Sequence, residues 1–152
     1  MFSLYSKKCE YVLLGLARLG TEGAGGKRFL AKDFCRKMNL PEPFTRKALQ
    51  ALVKAGILQA VQGPGGGYSF SRPTSQISVL DLIYAIEGKK HYSSCVMGFS
   101  QCHAAQPCGL HAVWTQVKGQ LMLQLQKETL SLLIRKTFPG KGQKAKRLKS
   151  IK

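Results

Sequence analysis

Acidic residues are what this sequence has least of: seven Asp and Glu stand against 24 Lys and Arg in 152 residues, a formal net charge of +17. So few carboxylates leave no paired-carboxylate set for general acid–base work, and no nucleophile–base arrangement emerges along the chain. The chain is therefore expected not to be an enzyme and not to take a small-molecule substrate. Also missing is any run of about 18 apolar residues, the length a membrane-spanning helix needs. The stretch from Met1 to Leu19 is apolar but interrupted by Glu10 and Arg18. It lacks a basic start followed by an unbroken apolar core, so it is not read as a secretion signal. These absences point to the cytoplasm, where the five cysteines are better read as thiols or metal ligands than as disulfides.

What the sequence does have is positive charge and enough grease to fold. A hydrophobic fraction of 44% supports a globular body of one domain with an appendage. Part of the charge sits at the end, where residues 136–152 hold seven basic residues and no acid, but the remainder still carries +10. A basic body argues for a polyanionic partner, nucleic acid before membrane.

The periodicity predicts a mainly α chain with one small β-hairpin. In the segment Tyr5–Leu19, Tyr11, Leu14, Leu16, Ala17 and Leu19 form an apolar helical side, ending in the Gly-rich stretch 20–26. A second helix is expected over Leu30–Met38, broken by Asn39-Leu40-Pro41-Glu42-Pro43, and a third from about Pro43 to Ala55-Gly56. Two short helices with a tight break between them form a helix-turn-helix. Ile57–Val61 and Tyr68–Ser71 read as strands around the turn Gly63-Pro64-Gly65-Gly66-Gly67. A glycine-rich hairpin after a helix-turn-helix is what a wing needs to approach a DNA backbone closely. It is not a nucleotide-enzyme phosphate loop, because neither the Lys-Ser/Thr nor a helix pattern follows it. The next helix opens at Ile77–Asp81, with Ser78 as N-cap and Asp81 three residues on, and closes at Glu87-Gly88. A last helix runs from Leu110 to Phe138, apolar on more than one face, and is expected to pack on its own domain and on a partner helix. The division that follows is 1–88 winged helix-turn-helix, 89–109 cysteine loop, 110–138 dimerisation helix and 139–152 basic disordered tail.

Between Lys89 and Gly109 no periodicity appears, only small and polar residues around Cys95, Cys102 and Cys108, with gaps of six and five residues. Soft thiolates are the preferred ligands of zinc and of iron–sulfur clusters. These gaps are wider than in a structural zinc knuckle and suit a loop wrapped around a larger group. Three thiolates need a fourth ligand. His91, His103 and His111 are available, and His111 ranks first because it stands at a helix start, where the scaffold holds it. Cys9 and Cys35 lie on helical faces and are read as small buried apolar residues.

Together these pieces resemble one family, the bacterial winged-helix transcription regulators of the rrf-two superfamily, which includes IscR, NsrR and RirA. The matching stretches are Ser6-Lys7-Lys8-Cys9-Glu10-Tyr11, Leu52–Gly56, Gly63–Tyr68, Ile77–Gly88, the three loop cysteines and His111-Ala112-Val113-Trp114, covering about residues 1–135. The resemblance implies a homodimer built on the long helix, each recognition helix in a major groove of a double-stranded DNA operator, and DNA affinity set by cluster state. It implies two fourth ligands: His111 for a [2Fe–2S] cluster, or Glu10, contributed across the dimer, for a [4Fe–4S] cluster. On the DNA side Thr45, Arg46 and Lys47 stand at the N-terminal end of the recognition helix, and Gln62, Gly65, Gly66 and Tyr68 make the wing. Arg46 has the donors to pair with guanine. Two departures stand out: the first cysteine gap is one residue longer than the family's usual spacing, and Gln62 replaces an arginine that would reach the minor groove. Two other readings are kept: a winged-helix regulator with structural zinc or no metal in the loop, and a basic RNA-associated protein using the lysine-rich tail.

Overall fold

A computed structural model describes residues 4–21, 27–100 and 102–138. The helices are α1 (Lys7–Thr21), α2 (Ala31–Met38), α3 (Glu42–Lys54), α4 (Val79–Glu87), α5 (His111–Lys127) and α6 (Leu130–Thr137). One antiparallel hairpin, β1 (Leu58–Val61) and β2 (Gly67–Phe70), lies between α3 and α4. None of the described helices is long and apolar enough to cross a membrane. The basic run at 139–152 and the glycines at 23–26 lie outside the described residues.

Each early helix ends where its sequence makes continuation costly. Asn39 takes a left-handed conformation at φ 52°, which asparagine tolerates better than most residues. Its N–H and that of Leu40 donate to the Arg36 and Cys35 carbonyls, at 3.3 and 2.9 Å. Pro41 then caps α3, and Pro43 sits inside its first turn, where a missing N–H costs nothing. The tight break between α2 and α3 follows from these three residues.

The core gathers around α3 and α4. Leu49 and Leu52 of α3 meet Leu82 and Ile83 of α4, with Ile57, Leu58, Ile77 and Phe34 around them, all essentially inaccessible. α4 has hardly a polar face, and it is started by a full capping box. Ser78 Oγ accepts from the Asp81 N–H at 3.0 Å, and the Asp81 carboxylate accepts from the Ser78 N–H at 3.2 Å.

Three expectations change, and one pairing is added. On α1 the buried stripe is Cys9, Val12, Leu13, Leu16 and Ala17, while Tyr11, Leu14 and Leu19 are half-buried. This helix is apolar almost all round, so periodicity did not single out the inner face. The helix expected over 110–138 is two helices, interrupted at Glu128-Thr129. The break is made by tertiary pairing: the Val79 N–H donates to the Glu128 carbonyl at 2.8 Å, and the Leu130 N–H to the Ile77 carbonyl at 2.7 Å. Thr129 then caps α6 through the Leu132 N–H. The loop 89–109 begins with a 3₁₀ turn, Lys89–Ser93, rather than irregular chain. Tyr92 is buried there and donates to the Leu4 carbonyl at 2.9 Å. Finally, Phe29 pairs with Tyr68 through two backbone hydrogen bonds of 2.8 Å, a one-residue third strand beside the hairpin.

Candidate nucleic-acid interface and cysteine loop

The helix-turn-helix and the hairpin form one face. The exposed N-terminal end of α3 carries Arg46 and Lys47. Arg46 Nε rests on Glu42 Oε1 at 2.8 Å, one turn earlier. That pair is solvent-exposed, so it is worth under about 1 kcal/mol and is readily exchanged for an acceptor on DNA. Thr45 does not belong to this surface. It is 3% exposed, and its hydroxyl donates to the Pro41 carbonyl at 3.0 Å, so the expectation that it meets base edges is corrected. The neighbouring Phe44, on which the sequence carried no signal, is 62% exposed. An exposed aromatic at this point suits contact with a thymine methyl.

A groove of about 340 Å³ separates α3 from the hairpin, lined by Gln50, Val53, Lys54, Ala60, Gln62 and Tyr68 among others. Two glycines of the wing are required by space. A Cβ on Gly66 would lie 2.3 Å from the Val61 carbonyl oxygen, and one on Gly67, whose φ is +131°, 2.7 Å from that of Phe29. Gly65 and Gln62 are exposed at the tip. Tyr68 is half-buried and stacks on Phe29 with ring centres 5.9 Å apart, so its ring braces the wing root. Arg28, which carried no signal in the sequence, donates from Nη1 to the Gly65 carbonyl at 3.0 Å.

The loop between α4 and α5 and the first residue of α5 bring four donors together, with Cys95 interacting with Cys102 as well as with Cys108. Cys95 Sγ lies 3.5 Å from Cys108 Sγ, and Cys102 Sγ lies 3.1 Å from His111 Nδ1. Two thiolates on one tetrahedral ion stand about 3.8 Å apart, and a thiolate and an imidazole nitrogen about 3.6 Å, from the usual bond lengths. The observed separations are shorter than these by about 0.3 and about 0.5 Å, at hydrogen-bonding range. Among the described residues, no three His, Cys, Asp or Glu side chains gather tightly enough to hold a single ion. The pairs instead border a cavity of about 380 Å³, which Phe99 and His103 also line. His111 is the first residue of α5, and its N–H donates to the Cys108 carbonyl at 3.0 Å. Trp114, one turn on, donates to the Ser94 carbonyl and ties the loop to the helix.

The thiols differ in basicity. The Met97 backbone N–H donates to Cys95 and draws its thiol below the ordinary range, with Cys108 adding to the effect. The Leu110 N–H is the largest single influence on Cys108 and pulls its thiol down, but the proton shared with Cys95, desolvation and the neighbouring Cys95 and Cys102 thiols together raise it. Cys9 is fully buried, and desolvation, with Glu87 nearby, pushes its thiol up to about 12. Cys35 is buried as well, so the apolar reading of this pair holds.

Of the other ligand candidates His103 lines the cavity, whereas Glu10 and His91 lie apart from it. Glu10 is on α1, paired with Lys7 Nζ at 2.9 Å, and does not line it. His91 faces the Leu4 carbonyl at 3.1 Å and Glu87.

Known proteins bear on both halves. The family model described as "Rrf2: Iron-dependent Transcriptional regulator" matches residues 5–136. The HTH-type transcriptional regulator IscR of Escherichia coli is 26% identical over 129 residues, spanning 85% of this chain and 78% of that one. Among solved structures, T. potens IscR superposes with a TM-score of 0.66 at 25% identity, covering 88% of each chain. CymR, the global cysteine regulator of B. subtilis, superposes at 0.69 with 21% identity, covering 90% of this chain and 99% of CymR, a likeness of fold. The chain therefore belongs to the Rrf2 family of iron-dependent transcriptional regulators: it is a DNA-binding regulator with a winged helix-turn-helix, not an enzyme.

Proposed function

We propose that this regulator binds its operator as a homodimer, and that an iron–sulfur cluster held by Cys95, Cys102 and Cys108 with His111 modulates the binding. The observation that carries this reading is the pairing of Cys95 with Cys108 and of Cys102 with His111 on the border of one cavity. The donors are three soft thiolates and an imidazole, a set that suits iron better than any hard cation. His111 is preferred as fourth ligand because it already faces Cys102 within the same chain, whereas Glu10 of the same chain does not line the cavity. That preference favours a [2Fe–2S] over a [4Fe–4S] cluster. Such a cluster supplies a crosslink of the loop that is gained and lost with iron supply and redox state.

The chain's own residues carry that state toward DNA. His111 opens α5, so tension at its ring acts on the helix directly. α5 packs on α4, and α4 packs on α3, the recognition helix. Leu110, Val113 and Val117 are 46%, 62% and 51% exposed at spacings of three and four residues along α5. A stripe of this kind is the surface a second copy would cover, setting the distance between two recognition helices.

The test is purification without oxygen. Wild type is expected to be brown with visible absorption, and Cys102→Ala to lose it. His111→Ala is expected to shift the spectrum or weaken retention, and Glu10→Ala to leave it unchanged. Colourless protein carrying stoichiometric zinc would refute the cluster. Colour lost with Glu10→Ala and kept with His111→Ala would reverse the ligand choice.

A further inference from the structure

The wing has a deficit that the rest of the fold makes good. From Gln62 to Gly67 its tip is Gln-Gly-Pro-Gly-Gly-Gly, with no charged group in six consecutive positions. An uncharged tip approaching a polyanion gains none of the counterion release that dominates such binding. Yet the tip is not uncharged in space. Arg28 is exposed, and its Nη1 donates to the carbonyl of Gly65 at 3.0 Å. The backbone that carries it is pinned, because the next residue, Phe29, exchanges two hydrogen bonds with Tyr68 and stacks on its ring. Among the described residues no carboxylate pairs with Arg28. A guanidinium has five N–H donors, and one is used on Gly65.

We propose that Arg28 is the DNA-contacting cation of the wing, carried into the minor groove alongside the glycine tip. The shape supports that choice of groove. A tip of glycines and one proline adds almost no bulk, and the minor groove of B-DNA is about 6 Å wide. Arginine is favoured where A·T-rich sequence narrows that groove and deepens its negative potential. Arg28 thereby sets a sequence preference at the positions beneath the wing. The proposal rests on the DNA binding of the family, and the experiment separates the two.

The full chain, purified without oxygen, is used to enrich duplexes from a random-sequence library. Affinity is then measured on the winning duplex and on a copy whose A·T pairs under the wing are exchanged for G·C. R28Q keeps an N–H donor for Gly65 and removes the charge. As an exposed substitution it is expected to leave the melting temperature unchanged. It should weaken binding about tenfold on the A·T duplex, have little effect on the G·C copy, and lower the salt dependence by about one charge. R28K, which retains the charge, should fall between R28Q and wild type. Equal losses on both duplexes would overturn the groove assignment and make Arg28 a phosphate clamp. R28Q binding both duplexes like wild type would overturn the proposal outright. If wild type enriches no duplex, DNA binding itself fails, and the role of Arg28 with it.

Discussion

Leu130 offers a direct measure of how firmly the C-terminal helices are held to the DNA-binding body. Its side chain is fully buried although it stands just after the break between α5 and α6, and its N–H donates to the Ile77 carbonyl at 2.7 Å. Leu130→Ala removes three carbons from a site where α6 meets α1 and the turn before α4. At about 0.8 kcal/mol per buried methylene, the lost transfer energy is about 2.4 kcal/mol. Backbone pairing of Ile77 and Val79 with the break limits how far α6 can collapse into the space. The unfilled cavity therefore brings the total to about 3–4 kcal/mol. For a chain of this size that lowers the thermal midpoint by about 10 °C, read by far-UV circular dichroism at fixed protein concentration. Leu123→Ala is the control. Leu123 is 61% exposed, so its loss should cost the chain under about 0.5 kcal/mol, making the midpoint differ only through association of two copies. A Leu130→Ala midpoint within about 2 °C of wild type would show that the break is not docked as described.

Two further perturbations probe the wing and the buried thiol. Gly67→Ala places a Cβ 2.7 Å from the Phe29 carbonyl oxygen at a φ of +131° and should cost about 1–3 kcal/mol. Hydrogen exchange should speed up at the Phe29 and Tyr68 amides and stay slow at Leu52; unchanged exchange at Phe29 would refute the steric account. Cys9 has its thiol pushed to about 12 by burial, so the folded chain keeps a proton that the unfolded chain releases near pH 9. Its contribution is then complete below about pH 9 and lost as pH rises toward 12, the direction that linkage requires for a raised value. Burial raises Tyr92 to about 12 as well, adding to the same alkaline slope. Urea midpoints at about pH 8 and about pH 10.5 should converge for Cys9→Ala relative to wild type. An identical slope in the variant would remove Cys9 from the account.

How much of this was legible in the sequence depended on whether the cause was local. Ser78 and Asp81 lie three residues apart, and the capping box formed as read. Asn39-Leu40-Pro41 and Gly63–Gly67 act through their own backbones, so the helix break and the wing turn were visible as residue types. Thr45 was misplaced because its position at a helix start suggests exposure, whereas its hydroxyl turns back to the Pro41 carbonyl, and with that acceptor satisfied it can be buried. The interruption at Glu128-Thr129 has Thr129, an N-capping residue type, as its one local sign, with neither glycine nor proline; partners some fifty residues earlier, at Ile77–Val79, fix it.

The cysteine loop shows the same limit in a more consequential form. Three thiols and a histidine within seventeen residues marked the site, but spacing alone did not sort them into Cys95 with Cys108 and Cys102 with His111. That sorting decides what the loop can report. Because the partner of Cys102 is His111, the first residue of α5, loss of the Cys102–His111 pair frees the helix start. Loss of the Cys95–Cys108 pair frees only the loop between two points held by Tyr92 and Trp114. Cys102→Ala should therefore disturb DNA affinity more than Cys108→Ala even where both abolish the chromophore, measured on the same enriched duplex. Equal effects of the two would place the coupling in the loop as a whole rather than at the start of α5.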